Sequence, residues 1–254
     1  MQIRFLTVDG FNLIRRIFEA RQPGRPEDVA SVVDAAKGSL QRAIDRFLPT
    51  HAAVVLENHD KTWRHLLYSD YKANRSPTPG LLLDHLDRFA EAFRDLGVTI
   101  CKVASYEADD VIGTITTVVA GHGGEVLILS TDKVYLQLIS NSVRVIDHFQ
   151  HKTWHAVDVE QNYKIRVDQY VDYLALVGDK SNNVKGVPGI GPKSAEQLLS
   201  AYGDLECVLA ATDEDKLVAT VQAAHGEVRR CRQLAQLKTD VELGRNLKSF
   251  RLMQ

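Results

Sequence analysis

The chain has 254 residues, 44% of them hydrophobic and 25% charged, with a net charge of −2. These values exclude a disordered or fibrous polypeptide and leave an ordinary globular protein, one large domain or a domain with a small appendage. A near-neutral total does not announce a nucleic-acid binder, so the distribution of charge matters more than its sum.

No apolar run approaches the ~18 residues of a membrane-spanning helix, and the chain starts with a strand-like segment rather than a secretory signal. Cys101, Cys207 and Cys231 are odd in number and have no metal-ligand spacing. They read as buried or incidental thiols of a protein in the reducing cytoplasm.

In chain order, apolar β-rich runs predict strands over residues 3–9, 52–57, 98–103, 126–130 and 143–149. Helical patterns over 12–19, 27–47, 62–74, 81–96, 108–120 and 168–176 alternate with them. This alternation predicts an α/β fold, a mostly parallel sheet with helices on both faces and a site at the carboxyl ends of the strands. Beyond about residue 150 the chain reads as helices joined by glycine-rich turns, including 194–202, 212–224 and 226–238. The expected division is therefore a sheet region, 1–150, and a helical region, 151–254, sharing one core.

Carboxylates recur at the predicted strand ends: Asp9, Glu57 and Asp132. Glu107-Ala108-Asp109-Asp110 opens a helix directly after another strand, and Asp179 follows the 168–176 helix. Parallel strands would bring several of these acids to one sheet edge. Ionised together they repel, and hard divalent cations such as Mg²⁺, with Mn²⁺ as a chemical substitute, relieve that repulsion. The same ions activate water and stabilise charge in phosphodiester hydrolysis. Singly, each acid has a plainer reading, since acids in a first helical turn also oppose the helix dipole.

Arg64, Tyr68, Lys72 and Arg75 follow helical spacing and form one stripe on the predicted 62–74 helix, ended by Pro77 and Pro79. Basic groups interleaved with Tyr68 and Tyr71 suit phosphates and stacked bases, though a solvated charged face reads the same way. The most specific punctuation is Lys185-Gly186-Val187-Pro188-Gly189-Ile190-Gly191-Pro192-Lys193-Ser194. Gly189 and Gly191 permit a tight turn, and Pro192 suits the start of the next helix. Amides there, with Lys193 and Ser194, can hold a phosphate without reading a base.

Taken in order, Val8-Asp9-Gly10-Phe11-Asn12-Leu13, Thr62-Trp63-Arg64-His65, Tyr68-Ser69-Asp70-Tyr71-Lys72-Ala73-Asn74-Arg75, Glu107-Ala108-Asp109-Asp110, Ser130-Thr131-Asp132-Lys133 and the glycine hairpin resemble the 5′-nuclease family. That family includes flap endonucleases and the 5′-nuclease domain of bacterial DNA polymerase I. The resemblance runs from Asp9 to about Leu243 and, with no polymerase domain present, is to the stand-alone bacterial members.

It implies a PIN-like nuclease sheet that cuts DNA at 5′ flaps or single-strand/duplex junctions, acting as a monomer. Metal ligands are implied at Asp9, Glu57, Glu107, Asp109, Asp110, Asp132 and Asp179, with Glu57 where the family commonly has Asp. A helical arch is implied over about residues 61–80, carrying Arg64, Tyr68, Lys72 and Arg75 to the scissile phosphate and its base. A helix–hairpin–helix over about 172–202 would grip duplex through Gly189, Ile190, Gly191, Pro192, Lys193 and Ser194. The carbonyls of Leu176, Val177, Lys185, Val187 and Ile190 are implied ligands of K⁺.

Two positions depart from the family pattern. Val134 and Asn182 stand where it usually has aspartates of the second metal site. The expectation is an active 5′ nuclease with a depleted second site; the alternative is a DNA-structure-binding protein with weak or lost catalysis.

Overall fold

The computed structural model describes residues 2–57, 61–212 and 214–252. Its centre is a sheet of six strands in the order β3-β2-β1-β4-β5-β6. β1 is Arg4–Asp9, β2 His51–Val55, β3 Thr99–Cys101, β4 Glu125–Leu129, β5 Val143–Asp147 and β6 Lys152–Trp154. The first five run parallel, and β6 pairs antiparallel with β5. β6 lies past residue 150, where the sequence pattern predicted no strand, so the sheet reaches into the expected helical region.

The two-residue period of each strand sorts its side chains onto two buried layers. Phe5, Ala53, Val55, Val126, Ile128, Val143 and Val145 face one layer. Leu6, Val8, Ala52, Val54, Leu127, Leu129 and Ile146 face the other. The second layer is closed by α1 (Gly10–Arg21), α2 (Val29–Phe47), α4 (Gly80–Leu83) and α5 (Leu86–Arg94). On the first layer sit α6 (Ala108–Gly121), α7 (Ala156–Tyr163), α8 (Tyr170–Val177), α9 (Pro192–Tyr202), α10 (Leu205–Ala210), α11 (Lys216–Ala223) and α12 (His225–Ala235). One apolar cluster thus continues from the sheet into the C-terminal helices. Buried Asp172 of α8 pins that packing, accepting from the Leu205 amide at 3.0 Å and pairing with Arg232 Nε at 2.6 Å.

From β1 the chain winds to β2 on one side and is flanked by β4 on the other, so the strand order switches direction between β1 and β4. Register aligns Asp9 with Val55 and Val8 with Leu129, bringing the carboxyl ends of the central strands level. Gly10 opens α1 there because a Cβ would lie 2.5 Å from Val54 Cγ1 and 2.9 Å from the Val55 carbonyl oxygen. Such switch points are where α/β sheets hold ligands.

The predicted 62–74 helix is corrected by the structure. Helix α3 spans only Trp63–Leu67, after which Tyr68 is extended and Lys72 is left-handed, with φ 56°. Tertiary hydrogen bonds outweigh helix propensity here. The Lys72 amide and Arg75 Nε donate to the Asn182 and Ser181 carbonyls, and Asn74 Nδ2 to the Lys180 carbonyl. Asn183 Nδ2 donates back to the Asp70 carbonyl. The predicted 81–96 helix is likewise divided, into α4 and α5.

Candidate active site

Asp9 ends β1 and caps α1, its Oδ1 accepting from the Asn12 amide at 3.0 Å. Its Oδ2 accepts from Ser130 Oγ at 3.0 Å and from the Tyr135 hydroxyl at 3.3 Å. The same phenol oxygen lies 2.5 Å from Asp109 Oδ1, so one fully buried hydroxyl shares its single proton between two acids. Asp132 caps the turn after β4, accepting from the Val134 amide at 2.9 Å. Asp179 caps the turn after α8, accepting from the Ser181 amide and hydroxyl and from Asn182 Nδ2.

These acids feel one another. Burial, then the charges of Glu57 and Asp132, push Asp9 up to about 7. Burial, then Asp132, holds Asp109 well above the usual carboxylate range. Asp132 is raised by burial and by Asp179. Among the described residues none of Asp9, Asp109, Asp132 and Asp179 has a cationic partner within ion-pairing distance.

Glu107 and Asp110, from the same segment, are placed differently. Asp110 is wholly buried: Oδ1 accepts from Arg64 Nη2 at 2.8 Å and the Lys238 amide at 2.9 Å, and Oδ2 from Arg64 Nη1 at 2.7 Å and Trp63 Nε1 at 2.9 Å. Four donors saturate it, so the expectation of a metal ligand at Asp110 is corrected to that of a structural ion pair. Arg64 is corrected with it. At 1% exposure it also donates to the Leu234 and Gln236 carbonyls, locking α3 to the C-terminal helices, and it cannot reach a substrate.

Glu107 meets Lys72 Nζ at 2.5 Å, Arg64 Nη1 at 3.0 Å and the Tyr71 hydroxyl at 3.0 Å. Burial works against its charge, but the Lys72 and Arg64 cations prevail and hold it below the usual range. Lys72 sits above this pair beside a cleft of about 410 Å³ lined also by Glu57, Arg75, Phe11, Arg15 and His65. Arg75 Nη2 is held by Asn182 Oδ1 at 2.7 Å. Tyr68 packs against the apolar layer, with the Arg230 guanidinium 5.1 Å from its ring centre.

Among the described residues no three acids converge into a ready-made metal cage. The donor set nevertheless fits a hard, hydrated divalent ion. Asp9, Asp109, Asp132 and Glu57 supply only carboxylate oxygens, the more distant Lys72 and Arg75 answer their repulsion only in part, and Mg²⁺ binds through few carboxylates while keeping waters. Val134 stands with Asp109, Asp179 and Asn182 around a void of about 10 Å³, supplying methyl groups where a carboxylate would point at the acids. Sequence reasoning missed Tyr135, gave Tyr71 a stacking role where its hydroxyl donates to Glu107, and took Ser130 only as part of a motif. The visible signal was Ser130 and Tyr135 flanking Asp132 on the turn after β4.

The hairpin joins α8 to α9. Its glycine requirement lies at Gly178, Gly186 and Gly189, with φ 86°, 69° and 86°, and at the first two each Cβ would fall 2.4–2.7 Å from the facing backbone. Gly191, expected to need such freedom, is extended, with φ −101° and ψ −177°. It caps α9, Pro192 follows, and Lys193 is exposed. The Leu176 carbonyl accepts from the Val187 amide, and the Val187 carbonyl from the Ile190 amide. Each carbonyl retains a second lone pair, and the backbones of Leu176, Val177 and Lys185 meet at the Gly178–Gly186 crossing.

Residues 4–164 match the family described as the 5′-3′ exonuclease N-terminal resolvase-like domain, and residues 165–254 its C-terminal SAM fold. The chain is 39% identical over 254 residues to the flap endonuclease Xni of Vibrio vulnificus strain CMCP6, covering 99% of this chain and 97% of that one. It is 37% identical to the Photobacterium profundum protein of that name, covering 100% of this chain and 98% of that one. Among solved structures it resembles the bacteriophage T5 flap endonuclease in a pseudo-enzyme-product complex with DNA and metal ions, at TM-score 0.75 and 20% identity, covering 93% and 90% of the two chains. With these matches over its whole length, the chain belongs to the 5′-3′ exonuclease family and is a metal-dependent nuclease.

Proposed function

We propose that the chain is a structure-specific 5′ nuclease that cuts DNA at a 5′ flap or at a junction of single strand and duplex. One observation carries the reading: Asp9, Asp109 and Asp132 sit without an ion-pair partner at the switch point between β1 and β4, beside a cleft edged by Lys72 and Arg75. The curated relatives named as flap endonucleases, and the T5 enzyme's complex with DNA and metal ions, support it.

Mg²⁺, with Mn²⁺ able to substitute, would be held by Asp9, Glu57, Asp109, Asp132 and Asp179. It would supply an activated water and neutralise charge on the phosphate. Lys72 is poised to exchange Glu107 for the scissile phosphate, and Arg75 to leave Asn182 for the same strand, while Tyr68 stacks on a base. The sheet region to about residue 150 does the chemistry, and the region 151–254 grips duplex. Amides at the α9 N-terminus, with Gly189, Ile190, Gly191, Pro192, Lys193 and Ser194, take a backbone phosphate there, and K⁺ sits on the hairpin carbonyls. The protein works as a monomer in the cytoplasm.

The test is a labelled 5′-flap substrate incubated with Mg²⁺, with Mn²⁺ and with EDTA, beside a plain duplex. Metal-dependent cutting near the junction is expected, and cutting indifferent to the flap would overturn the reading. Replacing K⁺ by a large organic cation at equal ionic strength should weaken duplex binding. A second reading, a binding protein with little catalysis, rests on Val134 and Asn182. It takes the lead if no metal supports cutting while junction DNA still binds.

A further inference from the structure

Beyond the cleft, a basic groove runs down the side of the sheet domain between α1, α2 and the β5–β6 turn. Arg15 lines both the cleft and a neighbouring hollow of about 550 Å³ that also holds Arg16, Arg21 and Phe149. Phe149 in turn lines a third hollow of about 500 Å³ with Arg42, Arg46, His148 and His151. The three hollows thus adjoin one another through shared side chains, leading away from the acids.

The charge on this path is largely unanswered. Arg15 pairs with Glu19, but among the described residues Arg16, Arg42 and Arg46 have no carboxylate partner within ion-pairing distance. Burial foremost, and then Arg42 and Arg46, holds His148 below its usual range. Its Nε2 meets Ser39 Oγ at 2.7 Å, which fixes the ring. Asp147, the nearest acid on the turn, is turned inward, accepting from the Phe149 and Gln150 amides.

In a chain of net charge −2, concentrating cations on one face needs a reason. Phe149 gives it: a large aromatic left 38% exposed, with the Arg16 guanidinium 5.8 Å from its ring centre. Unpaired cations alternating with an exposed ring are the chemistry of a single nucleic-acid strand, whose phosphates take the charges and whose bases stack. A duplex offers no free base face to Phe149, and a duplex grip buries ~1,000 Å² or more of protein surface, beyond hollows of pocket size.

We propose that this groove is a second DNA site that carries the single-stranded 5′ arm of the substrate out of the cleft, with Arg16, Arg42 and Arg46 on its phosphates and Phe149 stacked on a base. The proposal rests on the 5′-nuclease reading for the arm's origin, but its test does not need catalysis.

Anisotropy in EDTA measures binding of the full-length protein to a duplex with a thymidine 5′ arm, to the same duplex without it, and to the duplex with the arm replaced by a second duplex. The surface variants Arg42→Ala with Arg46→Ala, and Phe149→Ala alone, are compared with wild type after thermal melts confirm folding. The arginine pair should lose about tenfold in affinity for the armed substrate only, with the salt slope lowered by about 1.4 for two lost phosphate contacts. Phe149→Ala should lose about fivefold with an unchanged salt slope. Equal losses with and without the arm, or no loss, overturn the site. A loss confined to the second duplex overturns the single-strand occupant. If flap cutting fails but arm-dependent binding survives, only the nuclease reading has fallen.

Discussion

Asp109 and Asp110 are consecutive residues of one helical turn, yet they face opposite electrostatic fates. Asp110 turns into the core and receives four donors, two of them from the buried guanidinium of Arg64. Asp109 turns to the sheet edge, takes one neutral phenol and is surrounded by other acids. A carboxylate's neighbours, not its place in a motif, decide whether it holds the fold together or waits for a cation. Glu107 stands between the two, its charge secured by Lys72 and Arg64 but its Lys72 side open to the cleft.

The comparison breaks hardest at Arg64. Arg64→Ala should cost about 3–5 kcal/mol, because it leaves buried Asp110 without a cation and Glu107 with Lys72 alone. Urea unfolding of the metal-free protein measures it. A loss under about 1 kcal/mol would mean that Asp110 is not a structural ion pair. Asp109→Ala should do the reverse. Removing a buried acid among acids should raise stability, while cleavage falls about a hundredfold or more with the loss of metal-borne charge stabilisation. DNA binding should hold or tighten as phosphate repulsion drops. Undiminished cutting would remove Asp109 from the chemistry.

Much of this was legible beforehand, for physical reasons. Strand period and parallel alternation placed the sheet, and the acids singled out at strand ends (Asp9, Asp132), in a first helical turn (Asp109) and after a helix (Asp179) lie near one another in the fold. Less legible was anything set by contacts between distant segments. The 62–74 stretch has helical spacing, but the 180–183 turn draws its second half into a loop. Arg64 reads as part of a basic stripe, and only the packing of α3 on α12 reveals that it points inward. Strand β6 is three residues long and antiparallel, too short for a period to show. Gly189, with φ 86°, was legible, but Gly178 and Gly186 are required by a backbone crossing that spacing does not announce.

Acidity sharpens the comparison further. Asp9 is raised to about 7 from an ordinary 3.8, so between those values the folded protein holds a proton that the unfolded chain releases. Stability of the metal-free protein from this group is therefore full below about pH 4 and falls as pH rises towards 7. Asp109 and Asp132, also raised, act in the same direction. Glu107 is lowered, so its contribution runs oppositely, being lost only under more acidic conditions. Metal-free Tm should drop by about 5 °C between pH 5 and pH 7.5, and Asp9→Asn should flatten that slope. Excess Mg²⁺ should flatten it too, since an ion that replaces the proton removes the penalty. A Tm rising with pH across this window would show that the acids are already compensated.

The smallest expected effect tests the depleted side of the site. Val134 faces Asp109, Asp179 and Asn182 around a void too small for a hydrated ion, and Asn182 spends its amide on Asp179 and its carbonyl on Arg75. Both groups leave the second ion short of charge, and Mg²⁺ tolerates incomplete coordination poorly. Mn²⁺ binds mixed ligand sets more tightly, so wild type should cut best with Mn²⁺ and need millimolar-range Mg²⁺. Val134→Asp with Asn182→Asp should lower the Mg²⁺ requirement about tenfold while changing the rate at saturating metal little. Val134→Asp also adds a buried charge beside Asp109, so the double variant should be less stable than wild type without metal and should regain that loss when Mg²⁺ is added. Calorimetric titration of Mg²⁺ into the two proteins separates the cases. Equal affinities and equal metal curves would mean that Val134 and Asn182 do not limit the second ion, and the weak-catalysis reading would lose its only support.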